Sequence, residues 1–526
     1  MRVLVSDRIA QSGIELFRSH SVEVDEKLGL NQSELIEIIG DYDGLVVRSD
    51  TQVTKEILDA GINLQVVGRA GVGVDNIDIP VATEKGIVVV NAPSSNTVAA
   101  AEHTIALILS LVRHVPQAHS SMVSGRWDRK NFMGTELRGK TLGLVGLGRI
   151  GSEVARKAAP FDVKLIAYDP FVSVDYAVNA GVELVDFEYL IKTADIISLH
   201  TPLAKDSKFL VGKEQIANMK NTALLINCAR GGLIDEGALL DALHAGDIGG
   251  AALDVYSEEP LNKSESYNHP RLVLTPHLGA STSEAQDGVA NEVVEQMLDV
   301  MEGRTPSYAV NAPLAPAETV KEITPFIPVC VSVGQFISQL LDGQPESLEI
   351  IFHGDIAKYD TAVLRASAIS GFMERSSEER VSIVNATMTA QRRGIHVTER
   401  KNEDLEEFYG NLVTIEAKST TGSSLLSGAL INGEVHIVKL GSHRVDIVPS
   451  GKPWIMIDHT DRPGMIGHIG TVTGENDINI ASMQVSRENA RGPALTVLGL
   501  DEEVDTEQLK AIESIDDVNR VRVAHI

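Results

Sequence analysis

One stretch of the sequence, from Lys140 to Asp169, constrains the fold more than any other. It contains an apolar run from Thr141 to Val145, a glycine turn, a helical segment, and a second apolar run from Val163 to Tyr168 that ends at Asp169. This order of strand, turn, helix, strand and acidic residue is typical of a parallel α/β sheet that binds a dinucleotide. An incidental glycine-rich turn is the alternative, and it leaves the flanking strands and the acidic residue unexplained.

The turn itself reads G-L-G-R-I-G, which is the spacing used for binding a pyrophosphate. Gly146 permits the tight turn after the strand, Gly148 lets a pyrophosphate approach the backbone, and Gly151 lets the helix pack closely on the sheet. The free N–H groups at the helix N-terminus attract phosphate. Asp169 can accept hydrogen bonds from ribose hydroxyls and would repel a 2′-phosphate. These residues therefore predict NAD, rather than NADP, as the cofactor.

The composition of the chain excludes several classes of protein. The chain has 526 residues, enough for several domains, and its formal net charge of -27 argues against nucleic acid as a partner. The two cysteines, Cys228 and Cys330, form neither a disulfide framework nor a zinc motif, so we expect no metal site and a reducing, cytoplasmic setting. The N-terminus lacks a signal-peptide pattern. The longest apolar helical run, near Ile105 to Val112, is too short to cross a bilayer, so no membrane partner is expected.

Residues 1 to about 95 alternate strands with helices and predict a second parallel-sheet domain, which has no dinucleotide turn. Arg48 and Arg69 follow two of its strands, at the edge where parallel sheets bind ligands. Two arginines there suit a carboxylate or a phosphate. A pair of solvated surface arginines is the alternative. The neighbouring Gly71 favours a close approach of a ligand to the backbone.

Beyond Asp169, four more strands each lead into polar or charged residues. The strands read DIISL, ALLIN, AALDV and LVLT, and the residues after them include His200, Arg230, Glu259 and His277. Because the carboxyl ends of parallel strands meet at one edge of a sheet, these residues are expected to converge where the nicotinamide would lie.

Three of these residues form a candidate catalytic set. Hydride transfer from an alcohol to nicotinamide needs a base for the hydroxyl proton and a cation for a substrate carboxylate. His277 is the candidate base, because histidine titrates near neutral pH. Glu259 is placed to orient its ring, and Arg230 can hold a carboxylate with two parallel hydrogen bonds. A structural histidine at a strand end and a solvated glutamate before Pro260 are the alternatives.

Several motifs together resemble the D-isomer-specific 2-hydroxyacid dehydrogenases, and the resemblance extends over the whole chain. These motifs are GLGRIG, CARGG, DVYSEEP and TPHLGAST. Three further segments, VGRAGVGVDNID, NAPSSNT and FMGTELRGKTLGLVGLGRIG, are similar to the members that oxidise 3-phosphoglycerate. The resemblance implies NAD-dependent oxidation of 3-phospho-D-glycerate to 3-phosphooxypyruvate, the first step of phosphorylated L-serine biosynthesis, with Arg230, Glu259 and His277 as the active-site set.

The resemblance also implies binding residues. The substrate anion would be contacted by Arg48, Arg69 and Gly71, and Arg129 would reach the phosphate bound by a neighbouring subunit. The implied cofactor contacts are Gly146, Gly148, Arg149, Ile150, Gly151, Asp169, Thr201, Pro202, Cys228, Ala229, Asp254, Gly279 and Ala280. Two alternative functions stay open: a hydroxypyruvate or glyoxylate reductase on the same fold, and a regulator that senses NAD or serine without catalysis.

The last third of the chain follows a proline-rich linker, APLAP, at residues 312–316. Residues 452–526 have the order strand, helix, strand, strand, helix, strand, which is ferredoxin-like. This part resembles an ACT domain, a module that senses amino acids. The resemblance implies L-serine as an effector that binds His459, Asp461 and Asn479, and a homo-oligomer that is a tetramer. A domain that only holds subunits together is the alternative.

The expected fold is therefore α/β, with two Rossmann-like or flavodoxin-like parallel-sheet domains, an α+β intervening domain and a ferredoxin-like βαββαβ ACT domain. The predicted ranges are 1–96 with 282–312 for the substrate-binding domain, 97–281 for the NAD-binding domain, 313–451 for the intervening domain and 452–526 for the ACT domain. The substrate is expected in the cleft between the first two domains.

Overall fold

A computed structural model of the chain describes residues 1–203, 209–262, 267–304, 306–313, 319–374, 380–404 and 409–525. Within these ranges the strands form four sheets. The first two sheets are parallel, the third is mixed and the fourth is antiparallel. The predicted α/β class, with two parallel-sheet units followed by mixed and antiparallel sheets, is confirmed.

The first sheet has the strand order β2-β1-β3-β4-β5, which is the flavodoxin-like order. Its strands are β1 Arg2–Val5, β2 Glu23–Glu26, β3 Gly44–Val47, β4 Val66–Arg69 and β5 Val88–Asn91. Its helices are α1 Gln11–Ser19, α2 Gln32–Ile38, α3 Lys55–Ala60 and α4 Ile79–Glu84. The inner strands are apolar and buried on both faces, as a parallel sheet covered by helices requires. The edge strand β2 reads EVDE and is not fully buried, so its sequence did not predict a strand.

The second sheet has the order β12-β11-β10-β9-β6-β7-β8. Its strands are β6 Thr141–Val145, β7 Lys164–Tyr168, β8 Glu183–Leu184, β9 Ile196–Leu199, β10 Leu224–Asn227, β11 Gly250–Leu253 and β12 Leu272–Leu274. Its helices are α5 Thr97–Arg113, α6 Val115–Val123, α7 Arg149–Ala158, α8 Val174–Asn179, α9 Phe187–Thr193, α10 Lys213–Ala217 and α11 Glu236–Ala245. The strand order reverses between β6 and β9, so a crevice opens at the carboxyl ends of these two strands.

Helix α12, Ser283–Met301, returns the chain from the second sheet to the first and packs on α1, β4 and β5. Its Glu292 carboxylate is buried and accepts hydrogen bonds from the N–H groups and hydroxyls of Ser94 and Ser95, at 2.5 to 3.3 Å. Ser94 and Ser95 lie in the segment that leads from the first sheet to the second. The two crossovers between the sheets are therefore tied to each other.

The third sheet has the order β14-β13-β15-β16-β17-β18, and the fourth has the order β20-β21-β19-β22. The strands are β13 Pro345–His353, β14 His396–Asn402, β15 Leu412–Ser419, β16 Gly422–Ile431, β17 Glu434–Leu440, β18 His443–Ile447, β19 Pro453–Thr460, β20 Ile480–Arg487, β21 Pro493–Leu500 and β22 Val518–His525. The helices are α13 Val320–Ile323, α14 Ile327–Leu340, α15 Ala362–Met373, α16 Ala386–Arg392, α17 Met465–Glu475 and α18 Thr506–Glu513. The fourth sheet with α17 and α18 has the predicted βαββαβ order.

The fourth sheet is covered on both faces. Helices α17 and α18 cover one face. On the other face, Trp454 and Val497 belong to the same buried cluster as Phe336 of α14. At the rim of this cluster, the Gln339 side chain bonds to both the N–H and the carbonyl oxygen of His525. The last two sheets thus share a core, whereas the four predicted domain ranges stay a prediction.

The longest apolar helical stretch is not the predicted one near Ile105 to Val112. The stretch Val320–Leu340 has 21 residues and a mean hydropathy of 1.4, enough by length and composition to cross a membrane. The bent pair Thr97–Arg113 and Val115–Val123 passes the same test only if it is taken as one span. Half of the Val320–Leu340 window is buried, and α14 packs on α15 and the third sheet, which is the pattern of a core helix. The prediction of the longest apolar run is therefore wrong.

Candidate active site

The glycine turn after β6 is closed on the side of the sheet and open on the side of the crevice. A Cβ at Gly146, where φ is 97°, would lie 2.6 Å from the His200 carbonyl oxygen. A Cβ at Gly151 would collide with the Gly146 carbonyl oxygen. At Gly148, which precedes α7, a Cβ would meet no atom of the described residues within 4 Å. The turn therefore fits a pyrophosphate on the helix N-terminus.

Asp169 ties the glycine turn to the end of β7. Its Oδ2 accepts a hydrogen bond from the Leu147 N–H at 2.8 Å, and its Oδ1 accepts one from the Phe171 N–H at 2.9 Å. The carboxylate is thereby held beside the turn, where the adenosine ribose lies in dinucleotide folds. Arg149, the first residue of α7, stacks on the Tyr308 ring at 5.2 Å and so contacts the segment that returns to the first sheet.

His277 and Glu259 are joined by a hydrogen bond. The distance from His277 Nδ1 to Glu259 Oε2 is 2.7 Å, and the Tyr256 N–H donates to Glu259 Oε1 at 2.9 Å. Burial acts to raise the pKa of Glu259, but these hydrogen bonds outweigh it and lower the pKa below its ordinary value. Glu259 is therefore a carboxylate at neutral pH, and His277 Nδ1 donates to it. The ring is half exposed, and its Nε2 has no hydrogen-bond partner among the described residues.

The turn that carries His277 is held by Asp254, whose side chain is fully buried. The Asp254 carbonyl oxygen accepts the His277 N–H at 2.9 Å. Its carboxylate accepts the Leu278 N–H at 2.7 Å, the Gly279 N–H at 2.9 Å and the Thr275 hydroxyl at 2.6 Å. Burial acts to raise the pKa of Asp254, but the hydrogen bonds that it accepts lower it. A buried carboxylate thus fixes the backbone next to the candidate base.

Arg230 reaches from the second sheet to the loop that follows β4. Its Nη1 donates to the Ala229 carbonyl oxygen at 2.7 Å, and its Nε lies 3.5 Å from Asp75 Oδ2. A Cβ at Gly73 would lie 2.6 Å from Arg230 Nη2, so the guanidinium passes close over this loop. The contact brings the two parallel-sheet units together at their ligand-binding edges.

Arg69 lies under the same loop. A Cβ at Gly71 would collide with Arg69 Nη1, so the absence of a side chain at Gly71 makes room for the guanidinium. Burial, together with the charges of Arg230 and Arg48, lowers the pKa of Arg69 to about 10. Its Nε is buried and has no hydrogen-bond partner in the described part of the chain. An anion bound beside Arg69 would offset the repulsion that Arg48 and Arg230 exert on it.

Two polar residues near the site, the buried Asp7 and the partly buried His103, were missed from the sequence. Asp7, after β1, is 4% exposed and accepts the Arg48 N–H at 2.6 Å and the Thr51 hydroxyl at 2.5 Å. His103, in α5, has its Nε2 3.2 Å from Asp254 Oδ1. The signal that could have found them is a charged or ionisable residue directly after a buried strand, or inside an apolar helix.

The remaining predicted cofactor residues lie on the same edge. Ile150 is in the first turn of α7, and pairs of residues follow the strands β9, β10 and β12: Thr201 and Pro202, Cys228 and Ala229, and Gly279 and Ala280. Burial raises the pKa of the Cys228 thiol to about 12, so this thiol stays protonated and is not a nucleophile. Their contacts with NAD stay a prediction.

Arg129 lies outside the parallel-sheet strand ends that carry the other predicted arginines. It is exposed on the 3-10 helix Arg129–Asn131. Its predicted contact with a substrate in a neighbouring subunit stays a prediction.

Two of the three predicted effector residues lie at the end of β19: His459 is in the strand, and Asp461 directly follows it. His459 is buried, and its Nε2 lies 2.8 Å from Thr496 Oγ1. Asp461 accepts hydrogen bonds from Arg487 Nη1 at 2.5 Å and from the Arg491 N–H at 3.1 Å. Both side chains are therefore engaged by groups of the same chain.

The third predicted effector residue, Asn479, lies just before β20. Its Nδ2 donates to Asp501 Oδ2 at 2.6 Å, and Lys452 Nζ lies 2.9 Å from the other oxygen of Asp501. An effector that uses these residues has to exchange partners that the chain already provides. Their role in binding an effector stays a prediction.

Two family models match the chain. Residues 105–279 match the D-isomer specific 2-hydroxyacid dehydrogenase, NAD binding domain. Residues 322–441 match the D-3-phosphoglycerate dehydrogenase intervening domain. The first match contains the glycine turn, Arg230, Glu259 and His277.

Curated relatives match over almost the whole length of the chain. The D-3-phosphoglycerate dehydrogenase of Synechocystis sp. is 43% identical over 516 residues, which are 98% of this chain and 93% of the relative. The enzyme of that name from Methanocaldococcus jannaschii is 41% identical over 527 residues, which are 100% of both chains.

Solved structures match over about three fifths of the chain. A protein of Thermus thermophilus is 35% identical with a TM-score of 0.55, over 59% of this chain and 100% of its own. A D-lactate dehydrogenase of Aquifex aeolicus, solved with NAD and lactic acid, is 25% identical with a TM-score of 0.54, over 60% of this chain and 100% of its own.

Proposed function

This chain belongs to the D-3-phosphoglycerate dehydrogenases, and we propose that it oxidises 3-phospho-D-glycerate to 3-phosphooxypyruvate in the cleft between the first two sheets, with His277, Glu259 and Arg230 as its active-site residues. The observation that carries the proposal is the contact of Arg230 with the loop after β4. It joins the His277 side of the cleft to Arg69, whose Nε is buried.

Proton transfer is assigned to His277. Its Nδ1 donates to Glu259, so Nε2 is the ring nitrogen that accepts the proton of the C2 hydroxyl. The Glu259 carboxylate then stabilises the positive charge on the ring and keeps the ring oriented. NAD, held at the glycine turn, supplies the acceptor for the hydride that leaves C2.

Arg48, Arg69 and Arg230 are assigned to the substrate's anionic groups. Arg230 holds the carboxylate and polarises the C2 oxygen, while Arg48 and Arg69 offer the positive charge that a second anionic group needs. Gly71 contributes by leaving room for the Arg69 guanidinium beside the backbone. Hydroxypyruvate and glyoxylate lack a phosphate, so they leave part of this charge uncompensated.

Regulation is assigned to the fourth sheet. We propose that L-serine binds there through His459, Asp461 and Asn479, in a homotetramer. The βαββαβ order supports this assignment, as does the position of Asp461 in the turn between a strand and a helix. Cys228 and Cys330 are both free thiols, which suits a reaction in a reducing cytoplasm.

The test is formation of NADH from 3-phospho-D-glycerate, with and without L-serine, beside oxidation of NADH with hydroxypyruvate or glyoxylate. We expect turnover of 3-phosphoglycerate and a lower rate with serine. If 3-phosphoglycerate is inert while glyoxylate or hydroxypyruvate is reduced, the substrate and the roles of Arg48 and Arg69 are wrong. If turnover occurs and serine has no effect, the regulatory assignment alone fails.

A further inference from the structure

Helix α5 carries an ionisable side chain that the proposed mechanism does not use. His103 lies in the stretch AAAEHTIALIL, which packs under β10, β11 and β12. Its Nε2 is 3.2 Å from Asp254 Oδ1 and 3.1 Å from Thr275 Oγ1, and its side chain is 18% exposed. A polar side chain thus reaches from a core helix to the strand ends that carry the catalytic pair.

The partners of His103 determine which atom donates. The Asp254 carboxylate can only accept hydrogen bonds, and the Thr275 hydroxyl already donates to it at 2.6 Å. Thr275 Oγ1 is therefore left as an acceptor towards His103. His103 Nε2 carries a hydrogen and donates it to both oxygens, so the three side chains form one closed network around the carboxylate.

This network matters for His277 because of the conformation of the turn. His277 has a φ of 55°, in the left-handed region that residues other than glycine rarely adopt. Such a conformation persists where the surroundings hold it in place. Here Asp254 holds three successive N–H groups, those of His277, Leu278 and Gly279.

We propose that His103 is a positioning residue for His277. It fixes the Asp254 carboxylate, Asp254 fixes the turn 277–279, and the turn fixes where His277 Nε2 meets the substrate hydroxyl. The inference rests on the proposed function, because it gives His103 its task in hydride transfer from a 2-hydroxy acid. It also adds a second task to Asp254, whose contact with NAD is predicted from the family resemblance.

Two variants of His103 with side chains of similar size distinguish a positioning role of this residue from a packing role. In His103→Gln, the side-chain amide can still donate towards Asp254 and Thr275. In His103→Met, a side chain of about the same length has no donor. We expect His103→Met to lower kcat at least about tenfold, with KM for 3-phosphoglycerate nearly unchanged, because small misplacements of catalytic groups cost about this much or more. We expect His103→Gln to keep most of kcat.

The primary deuterium isotope effect on kcat, measured with 3-phosphoglycerate deuterated at C2, gives an independent readout. A displaced base slows the chemical step, so the isotope effect should rise in His103→Met and stay at the wild-type value in His103→Gln. Equal activity of the two variants overturns the inference. An activity loss in His103→Met that follows a loss of folded protein, with an unchanged isotope effect, also overturns it.

The proposed function and this inference can fail separately. If the wild type does not oxidise 3-phosphoglycerate but oxidises another 2-hydroxy acid, the substrate assignment fails. The kcat values of the two His103 variants are then compared with that acid as substrate. The isotope effect is measured with the same acid deuterated at C2. If the wild type oxidises no 2-hydroxy acid, both fail.

Discussion

The cleft and the end of the fourth sheet were both predicted as ligand sites, but the predicted residues of the two sites differ in whether their polar atoms have hydrogen-bond partners. Among the described residues of the cleft, Arg69 Nε is buried without a partner, His277 Nε2 is unpaired, and a Cβ at Gly148 would meet no atom within 4 Å. At the fourth sheet, each of the three predicted effector residues has a partner in the same chain. Because buried polar groups are normally satisfied, the buried Nε of Arg69 is a donor that an anionic ligand in the cleft would complete.

The acids of the two regions differ in the same way. Asp7 and Asp254 are buried and accept hydrogen bonds from several backbone N–H groups, so they hold loops in place. Asp461 instead pairs with Arg487, whose side chain is exposed, and solvent screens such a pair. The cleft is therefore preorganised for a ligand, whereas the fourth sheet can exchange one set of partners for another.

The largest expected effect in the cleft is that of His277→Ala. Removal of the base should lower kcat about 10³-fold, while KM for 3-phosphoglycerate changes little, because general-base catalysis contributes about 10²- to 10⁴-fold. Steady-state NADH formation measures both parameters. If the variant keeps more than about a tenth of kcat, the catalytic role of His277 is wrong.

Glu259→Gln tests whether orientation of the ring depends on a carboxylate. The amide can still contact His277 Nδ1, but it offers no charge to the protonated ring. We expect kcat to fall about 10²-fold, within the range of general acid–base catalysis, with His277 still in place. NADH formation measures the loss. An unchanged rate would mean that the 2.7 Å hydrogen bond has no catalytic role.

Gly71→Ala sharpens the comparison between the two regions. The added methyl would collide with Arg69 Nη1, the movable end of the side chain, so the guanidinium moves rather than the backbone. We expect KM for 3-phosphoglycerate to rise about tenfold, the size of one lost charge-assisted hydrogen bond. The control is Gly470→Ala in α17, where a Cβ meets no described atom within 4 Å. It should leave KM unchanged and raise the free energy of unfolding by about 0.5–1 kcal/mol.

The smallest effect concerns stability against pH. The hydrogen bonds to Glu259 hold its pKa below the ordinary value of 4.5 in the folded protein. They therefore stabilise the fold above that value, and this stabilisation is lost as the pH falls through the lower, folded-state pKa. Urea unfolding of the wild type and Glu259→Gln should give a larger stability difference near about pH 7 than near about pH 3.5. A larger stability difference at the lower pH would contradict the lowered pKa of Glu259.

The sequence was sufficient to predict those site residues that lie in a short motif or directly after a strand. The glycine turn and the residues at the ends of β9 to β12 were found because the carboxyl ends of parallel strands share one edge. The pairing of His277 with Glu259 was predicted from the same rule together with the family resemblance, whose motif has the acid directly before Pro260. In the first two sheets, the strands that were missed, β2 and β8, are short edge strands whose charged residues conceal the pattern.

Other features depend on packing between distant segments and were not predicted. His103 and Asp254 are 151 positions apart, and no spacing rule relates them. The core shared by the last two sheets was missed for a different reason. Strand β19 reads PWIMIDHT and is apolar on both faces, a signal that the sheet is covered on both sides. The stretch Val320–Leu340 carries the helix that covers it.

The most direct test of the contrast is equilibrium binding of 3-phosphoglycerate to the complex with NADH, followed by the NADH fluorescence. It compares the wild type with Gly71→Ala in the cleft and Asp461→Asn at the fourth sheet. We predict that Gly71→Ala weakens binding about tenfold, as loss of one charge-assisted hydrogen bond would, and that Asp461→Asn binds as the wild type does. If Gly71→Ala binds as tightly as the wild type, the arginines around Gly71 do not hold the substrate, and the contrast drawn between the two regions is wrong.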